Sequence, residues 1–268
     1  MPNRFAVMGN PIAHSLSPFI HHCFAEQTGK QLRYEKIKVD EASFEDHVFN
    51  FFAQGGRGLN ITLPFKQRAF VMAKKATDRC MQAKAANTLW LDAAGHLQAD
   101  NTDGVGLIRD LSHHISLEAK QVLLLGAGGA ARGIVGPLLA ANIAQLTIAN
   151  RTVEKTKALQ IDFPQIKGIT LSELKDNYDL ILNATSASLT AKLPVLPSSV
   201  LQNAPFCYDL AYCVKGLTSF VVWAREQGCA AMDGLGMLVE QAAESFFIWH
   251  GLKPDTESVL TALRKETM

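Results

Sequence analysis

The run Val122-Leu123-Leu124-Leu125 leads without a break into Gly126-Ala127-Gly128-Gly129-Ala130-Ala131, a G-x-G-x-x-A turn behind an aliphatic strand. Such a turn alone is a weak signal, but here it lies between a four-residue aliphatic run and a helical stretch. Gly126 permits a sharp turn, Gly128 lets a pyrophosphate approach the main chain, and small Ala131 lets the following helix pack close to the strand. That helix aims its free N–H groups and the positive end of its dipole at the phosphates. A second aliphatic strand, Leu146-Thr147-Ile148-Ala149, follows at βαβ spacing and ends in Asn150-Arg151-Thr152. An Asp or Glu at that point would hold the ribose hydroxyls of NAD. Arg151, with Lys155 one turn on, is instead the electrostatic match for a 2′-phosphate. The motif therefore predicts a dinucleotide-binding unit that takes NADP.

A chain of 268 residues is long enough for two modest domains, each with its own core. Its 26 Lys and Arg nearly cancel its 25 Asp and Glu, so neither nucleic acid nor an anionic membrane surface is an expected partner. Residues 122–149 are largely apolar, but Arg132, Asn142, Gln145, Pro137 and the glycines Gly126, Gly128 and Gly129 interrupt them. A membrane-spanning helix needs about 20 uninterrupted apolar residues. Strands buried on both faces of a parallel sheet explain the run better. The five cysteines form no C-x-x-C pair and no signal-peptide pattern precedes them, which reads as a reduced, cytoplasmic protein.

Strand and helix patterns alternate nearly throughout, predicting an α/β fold. In the first part, strands are expected at Arg4–Gly9, Arg33–Val39 and Gly58–Leu63. Helices are expected at Ser17–Thr28, with Ser17 as N-cap, at Ser43–Ala53, and from Pro64 to about Lys75. A hairpin turns at Ala94-Gly95, and a helix opens near Thr102. In the second part, the doubly wound parallel sheet continues with Leu180–Ala184, Phe206–Leu210 and Ala230–Met232, with helices near Glu154–Ile161 and Ser219–Gln227. The helices Met237–Trp249 and Val259–Lys265 are expected to return to the first part. This gives a substrate domain of residues 1–102 completed by 237–268, and a Rossmann-type domain of 103–236. The substrate would then sit in a cleft between the domains, at the carboxyl ends of the strands.

Small polar residues crowd the element boundaries of the first 103 positions: Ser15, Ser17, Asn60, Thr62, Asn87, Thr88, Asn101 and Thr102. Each has a structural explanation as cap, turn former or solvated group. Lys66 and Asp103 stand out. A lysine in the first turn of a helix opposes the dipole, while the same field favours an ionised Asp103 at the start of another. Brought together, they would put a cation and an acceptor on one substrate edge, able to move a proton while hydride moves at the adjacent carbon. The pairs His21-His22 and His113-His114 read as solvated helix positions, and His14 as a loop residue. No His, Cys, Asp or Glu grouping has metal-ligand spacing, so no metal is expected.

Several segments resemble the signatures of shikimate dehydrogenases: Met8–Pro18, Asn60–Lys66, Ala86–Thr88, Asn101–Gly104, Gly126–Ala131, Asn150–Thr152, Asn183–Ser186 and Asp233–Ala242. They occur in family order across the whole chain. The resemblance implies reduction of 3-dehydroshikimate to shikimate with NADP as cofactor, by a monomer or homodimer. It implies that Ser15, Ser17 and Tyr212 hold the substrate carboxylate. Thr62, Asn87, Asp103 and Gln241 would bind the ring hydroxyls, with Lys66 as acid/base. Gly126, Ala127, Gly128, Gly129, Ala130, Asn150, Arg151, Thr152, Lys155, Leu210, Gly234 and Met237 would line NADP, with Asp78 near it by spacing. Ser188 replaces a usual glycine, and Cys213-Val214 a usual Asn-Pro. A paralogue that also accepts quinate, or a non-catalytic protein that senses shikimate, would share most of these segments.

Overall fold

The computed structural model describes residues 2–185 and 196–267, which divide into two compact units. The first comprises Met1–Gly106 and Leu238–Arg264, and the second Leu107–Met237 with the tail from Lys265.

In the first unit, β1 (Asn3–Gly9), α1 (Ser17–Thr28), β2 (Leu32–Lys38), α2 (Phe44–Ala53) and β3 (Gly56–Ile61) form a parallel βαβαβ start. After α3 (Lys66–Met72), β4 (Lys75–Ala76) and α4 (Asp78–Ala83), the hairpin β5 (Thr88–Leu91) and β6 (Leu97–Asp100) completes the sheet. The strand order is β2-β1-β3-β5-β6-β4, with β5 antiparallel to both β3 and β6. Ala6, Met8, Leu59, Ile61 and Leu89 supply one buried face, against which Phe44, Phe51 and Phe65 pack. The rings of Phe44 and Phe65 stack at 4.4 Å, tying α2 to the residue before α3. Helix α3 ends at Met72, short of the expected Lys75, because β4 takes Lys75 and Ala76 into the sheet.

Helix α5 (Asp103–Ser112) leads into the second unit, whose strands are β7 (Gln121–Leu125), β8 (Gln145–Asn150), β9 (Lys167–Thr170), β10 (Leu180–Asn183), β11 (Phe206–Asp209) and β12 (Ala231–Met232). All neighbours are parallel, in the order β12-β11-β10-β7-β8-β9. This is the doubly wound order, with its switch point between β7 and β10. The aliphatic run before the glycine turn is explained by burial on both faces. Val122 and Leu124 pack with Leu107, Ile134 and Leu138, while Leu123 and Leu125 pack with Ile181, Phe220 and Val221. Helices α6 (Gly129–Ala140), α7 (Val153–Asp162) and α8 (Ser219–Glu226) alternate with the strands. Helix α9 (Leu235–His250) and α10 (Thr256–Thr267) follow the last strand.

Candidate active site

The chain leaves β1 at Gly9 and enters α1 through the loop that carries Ser15 and Ser17. Both serines are buried, their Oγ atoms are 3.2 Å apart, and the Ser17 N–H donates to Ser15 Oγ at 3.3 Å. Ser17 is not the N-cap expected from sequence. Leu16 already has helical dihedrals, and its carbonyl accepts the Ile20 N–H at 3.1 Å, so the helix begins one residue earlier. The Ser17 hydroxyl is thereby released from capping and turned toward Ser15. Ser43 likewise caps nothing, since its hydroxyl donates to the Asp40 carbonyl.

Lys66 is the first residue of α3 and Asp103 the first of α5. Lys66 Nζ donates to Asp103 Oδ2 at 2.5 Å, and the two side chains are only 15% and 6% exposed. Burial strengthens such a pair and excludes competing water. The α5 dipole favours the carboxylate, and that carboxylate offsets the unfavourable position of the ammonium at the start of α3. The other carboxylate oxygen, Oδ1, accepts from Asn87 Nδ2 at 2.9 Å. The same amide nitrogen reaches Thr102 Oγ1 at 2.9 Å and Gln241 Oε1 at 3.2 Å. Asn101 Oδ1 accepts the Asp103 N–H at 3.1 Å, holding the helix start in place. Lys66, Asn87, Thr102, Asp103 and Gln241 thus form one hydrogen-bonded group. Thr62, half-buried just after β3, donates its N–H to the Met8 carbonyl. Among the described residues its side chain is hydrogen-bonded neither to this group nor to the serine pair. Asp78 opens α4 with its side chain exposed, where the helix dipole favours a carboxylate.

Behind the group lies a second set of polar side chains. Ser245 is fully buried on α9. Its Oγ accepts from Asn60 Nδ2 at 3.1 Å, pairs with Thr88 Oγ1 at 2.8 Å and donates to the Gln241 carbonyl. Asn60 Oδ1 in turn accepts the Tyr34 hydroxyl at 2.7 Å. Arg79 forks onto Asp100 and reaches Glu244, which braces the end of β6 just before Asp103. Tyr34, Arg79 and Ser245 carried no signal in the sequence, since their partners lie up to 185 residues away.

His21 is a correction. The sequence suggested a solvated position, but the residue is 1% exposed and its ring stacks on Tyr34 at 4.3 Å. Burial first, and the neighbouring His250 second, push its pKa down to about 3, with Asn60 partly opposing the shift. Its place follows from helix periodicity: Ser17, Ile20, His21, Phe24 and Ala25 form the buried stripe of α1.

In the second unit, Gly126 follows β7 with φ of +103°, a conformation that a side chain would strain, and the Ala184 carbonyl lies 3.1 Å from where its Cβ would stand. Gly128 is the N-cap of α6 with no side-chain cap, and a Cβ there would meet open space. Ala127, Gly129 and Ala130 beside it are not fully buried. The first N–H groups of α6 thus face a cradle suited to an anion, as a pyrophosphate site requires. At the end of β8, Asn150 Nδ2 donates to the Thr152 carbonyl at 2.9 Å and shapes the turn. Arg151, Thr152 and Lys155 are exposed, and neither Arg151 nor Lys155 has an ion pair among the described residues, leaving two cations for a phosphate. These features fit a 2′-phosphorylated dinucleotide.

Leu210 and Tyr212, both half-buried, follow β11, and the Leu210 N–H donates to the Asn183 carbonyl at the end of β10. Gly234 and Met237 are buried at the turn into α9. Cys213 is half-buried, with its thiol pushed up by burial, and Val214 is exposed. Ser188 lies outside the described residues. Among the described residues no helix is long and apolar enough to cross a membrane, and no three His, Cys, Asp or Glu side chains cluster as a metal site would require.

Three family models match the chain: the shikimate dehydrogenase substrate binding domain over residues 7–89, shikimate / quinate 5-dehydrogenase over 110–208, and the shikimate 5′-dehydrogenase C-terminal domain over 234–264. A shikimate dehydrogenase (NADP(+)) of Legionella pneumophila strain Lens is 58% identical over 264 residues, covering 98% of this chain and 99% of that one. The fold superposes on an Ael1 enzyme from Pseudomonas putida with a TM-score of 0.90 at 46% identity, covering 99% and 98% of the two chains. It also superposes on shikimate 5-dehydrogenase from Thermus thermophilus, solved in complex with NADP(H) and shikimate, with a TM-score of 0.86 at 30% identity over 98% and 99%. With the paired lysine and aspartate in one unit and the glycine turn of the other, this full-length similarity means that the chain belongs to the shikimate dehydrogenase family.

Proposed function

We propose that this chain catalyses the reversible reduction of 3-dehydroshikimate to shikimate with NADPH. The observation that carries the reading is the buried Lys66–Asp103 pair, 2.5 Å apart and joined through Asn87 to Thr102 and Gln241. The first unit is the substrate domain and the second the NADP domain. Bound NADPH supplies hydride to the ketone carbon. Lys66 donates a proton to the ketone oxygen, and in the oxidative direction takes it from the hydroxyl. Asp103 holds the ammonium in line and accepts a neighbouring ring hydroxyl, while Asn87, Thr62 and Gln241 bind the remaining hydroxyls. Ser15 and Ser17, free of capping duty, bind the carboxylate with Tyr212. Gly126 to Ala130 and the start of α6 hold the pyrophosphate, and Asn150, Arg151, Thr152 and Lys155 hold the adenosine ribose with its 2′-phosphate. Leu210, Gly234 and Met237 line the other half of the cofactor, with Asp78 near it.

Because Asn87 and Asp103 are buried and Asn87 also reaches Gln241, a substrate lacking one hydroxyl would forfeit a hydrogen bond at a site shielded from water, which supports strong discrimination. The five cysteines are free, in keeping with a reducing, cytoplasmic setting. The enzyme acts as a monomer or homodimer. The test is a rate matrix of shikimate and quinate, each with NADP and NAD. Highest kcat/KM for shikimate with NADP supports the reading. Equal rates with quinate assign the chain to a broader paralogue, and no turnover in any cell of the matrix refutes it.

A further inference from the structure

The turn from β12 into α9 is held by an unusual cap. The first N–H groups of a helix need acceptors, and Ser, Thr, Asp or Asn commonly supplies one locally. In α9, Asp233 Oδ1 accepts the Leu235 N–H at 3.4 Å in that way, while the Met237 N–H donates to the hydroxyl of Tyr208, 3.3 Å away on β11. That hydroxyl donates to Asp110 Oδ2 on α5 at 2.5 Å. Tyr208 is fully buried and Asp110 is 3% exposed. Burial, and then the adjacent carboxylate, push the phenol well above its ordinary pKa, so it stays a neutral donor. The other carboxylate oxygen faces His114 Nε2 at 3.6 Å. The carboxylate also sits against the backbone of Gly236, where an added Cβ would stand 2.0 Å from Asp110 Oδ1. One buried ion and one phenol therefore fix two successive residues of the turn.

The location gives this cap a consequence. In a doubly wound sheet a dinucleotide lies along the carboxyl ends of the strands, across the switch point. If Arg151 at the end of β8 takes the adenosine half, the nicotinamide half lies over β10, β11 and β12, where residues 234–237 follow the last strand.

We infer that Asp110 and Tyr208 are positioning residues for the nicotinamide end of the cofactor: together they set the backbone of Gly236 and Met237, and through it the surface on which the reacting ring rests. Neither touches cofactor or substrate. The inference rests on the NADP reading above.

The test compares wild type with Tyr208→Phe, which keeps the ring and removes only the hydroxyl. Gly236→Ala is the second variant, because its Cβ must displace the turn from the carboxylate. Affinity for 2′,5′-ADP, which carries the adenosine half without nicotinamide, and calorimetric binding of shikimate are measured beside kcat and melting curves. Both variants should bind 2′,5′-ADP and shikimate as wild type does. Their kcat should fall by at least roughly ten-fold, toward the ~100-fold expected when a reacting group is misplaced by about 1 Å. An unchanged kcat in Tyr208→Phe overturns the inference. So does a parallel loss of 2′,5′-ADP affinity, which would make the pair merely structural for the unit. Failure of wild type itself to bind 2′,5′-ADP would instead refute the NADP reading.

Discussion

Replacing His21 with Phe should make the protein less sensitive to acid. His21 is buried among Tyr34, Phe24, Phe246 and Trp249, faces His250, and neither ring nitrogen meets a hydrogen-bond acceptor or donor among the described residues. Its pKa is pushed down to about 3 in the folded chain. In the unfolded chain it returns to about 6.5. The folded value is depressed, so the unfolded state binds the extra proton first. Folding is then unaffected above about pH 6.5 and loses stability as pH falls from there toward about 3. At about 1.36 kcal/mol per pH unit, the 1.5 units between roughly pH 6.5 and 5.0 amount to about 2 kcal/mol. Phe keeps an aromatic ring against Tyr34 and removes the titration. Denaturant unfolding of both proteins at about pH 7.5 and 5.0, read by the fluorescence of Trp90, Trp223 and Trp249, gives the double difference. Wild type should lose about 2 kcal/mol more than His21→Phe between the two conditions. Equal losses would mean that the folded imidazole accepts a proton, refuting its neutral burial.

Arg151→Ala should weaken NADP by at least about 1.5–3 kcal/mol, the scale of a hydrogen bond to a charged group, while NAD is nearly unaffected. Equal weakening of both cofactors in a binding titration would make Arg151 structural. Ser15→Ala combined with Ser17→Ala should raise the KM for shikimate and leave NADP affinity unchanged, since both hydroxyls belong to the first unit. A matching loss of NADP affinity would overturn the division of ligands between the units. Asp103→Asn should reduce turnover and shikimate affinity together and lower the denaturation midpoint, because breaking one side of a buried ion pair costs about 3–5 kcal/mol. Retention of full stability would show that Lys66 finds another partner.

The second unit was largely legible in the sequence because its chemistry is local. A strand apolar on both faces, a glycine turn and a second strand followed by Arg151 lie within about thirty residues, the span of one βαβ unit. The edge strand β9 escaped notice: of Lys167–Thr170 only Ile169 is buried, so no apolar run marks it. The two-residue β4 and the short, charged α4 were lost for the same reason. At the site, Lys66 and Asp103 were suspect from their positions at helix starts, yet their meeting is a tertiary fact. Ser245 and Tyr34 were invisible because a hydroxyl on an apolar helix face or a half-buried strand declares no partner. His21 was legible and misread. Its spacing from Ile20 and Phe24 places it on the buried face, and its polar side chain masks that periodicity.

The proposed reaction depends on Lys66 as the group that moves the proton. The direct test is Lys66→Ala, assayed by steady-state kinetics in both directions and by calorimetric binding of shikimate. A group acting on a proton in flight stabilises the transition state more than the bound substrate. The expected result is a kcat lower by about 100- to 10,000-fold with shikimate binding largely intact. A raised KM with unchanged kcat would contradict this role and leave Lys66 as a binding residue only.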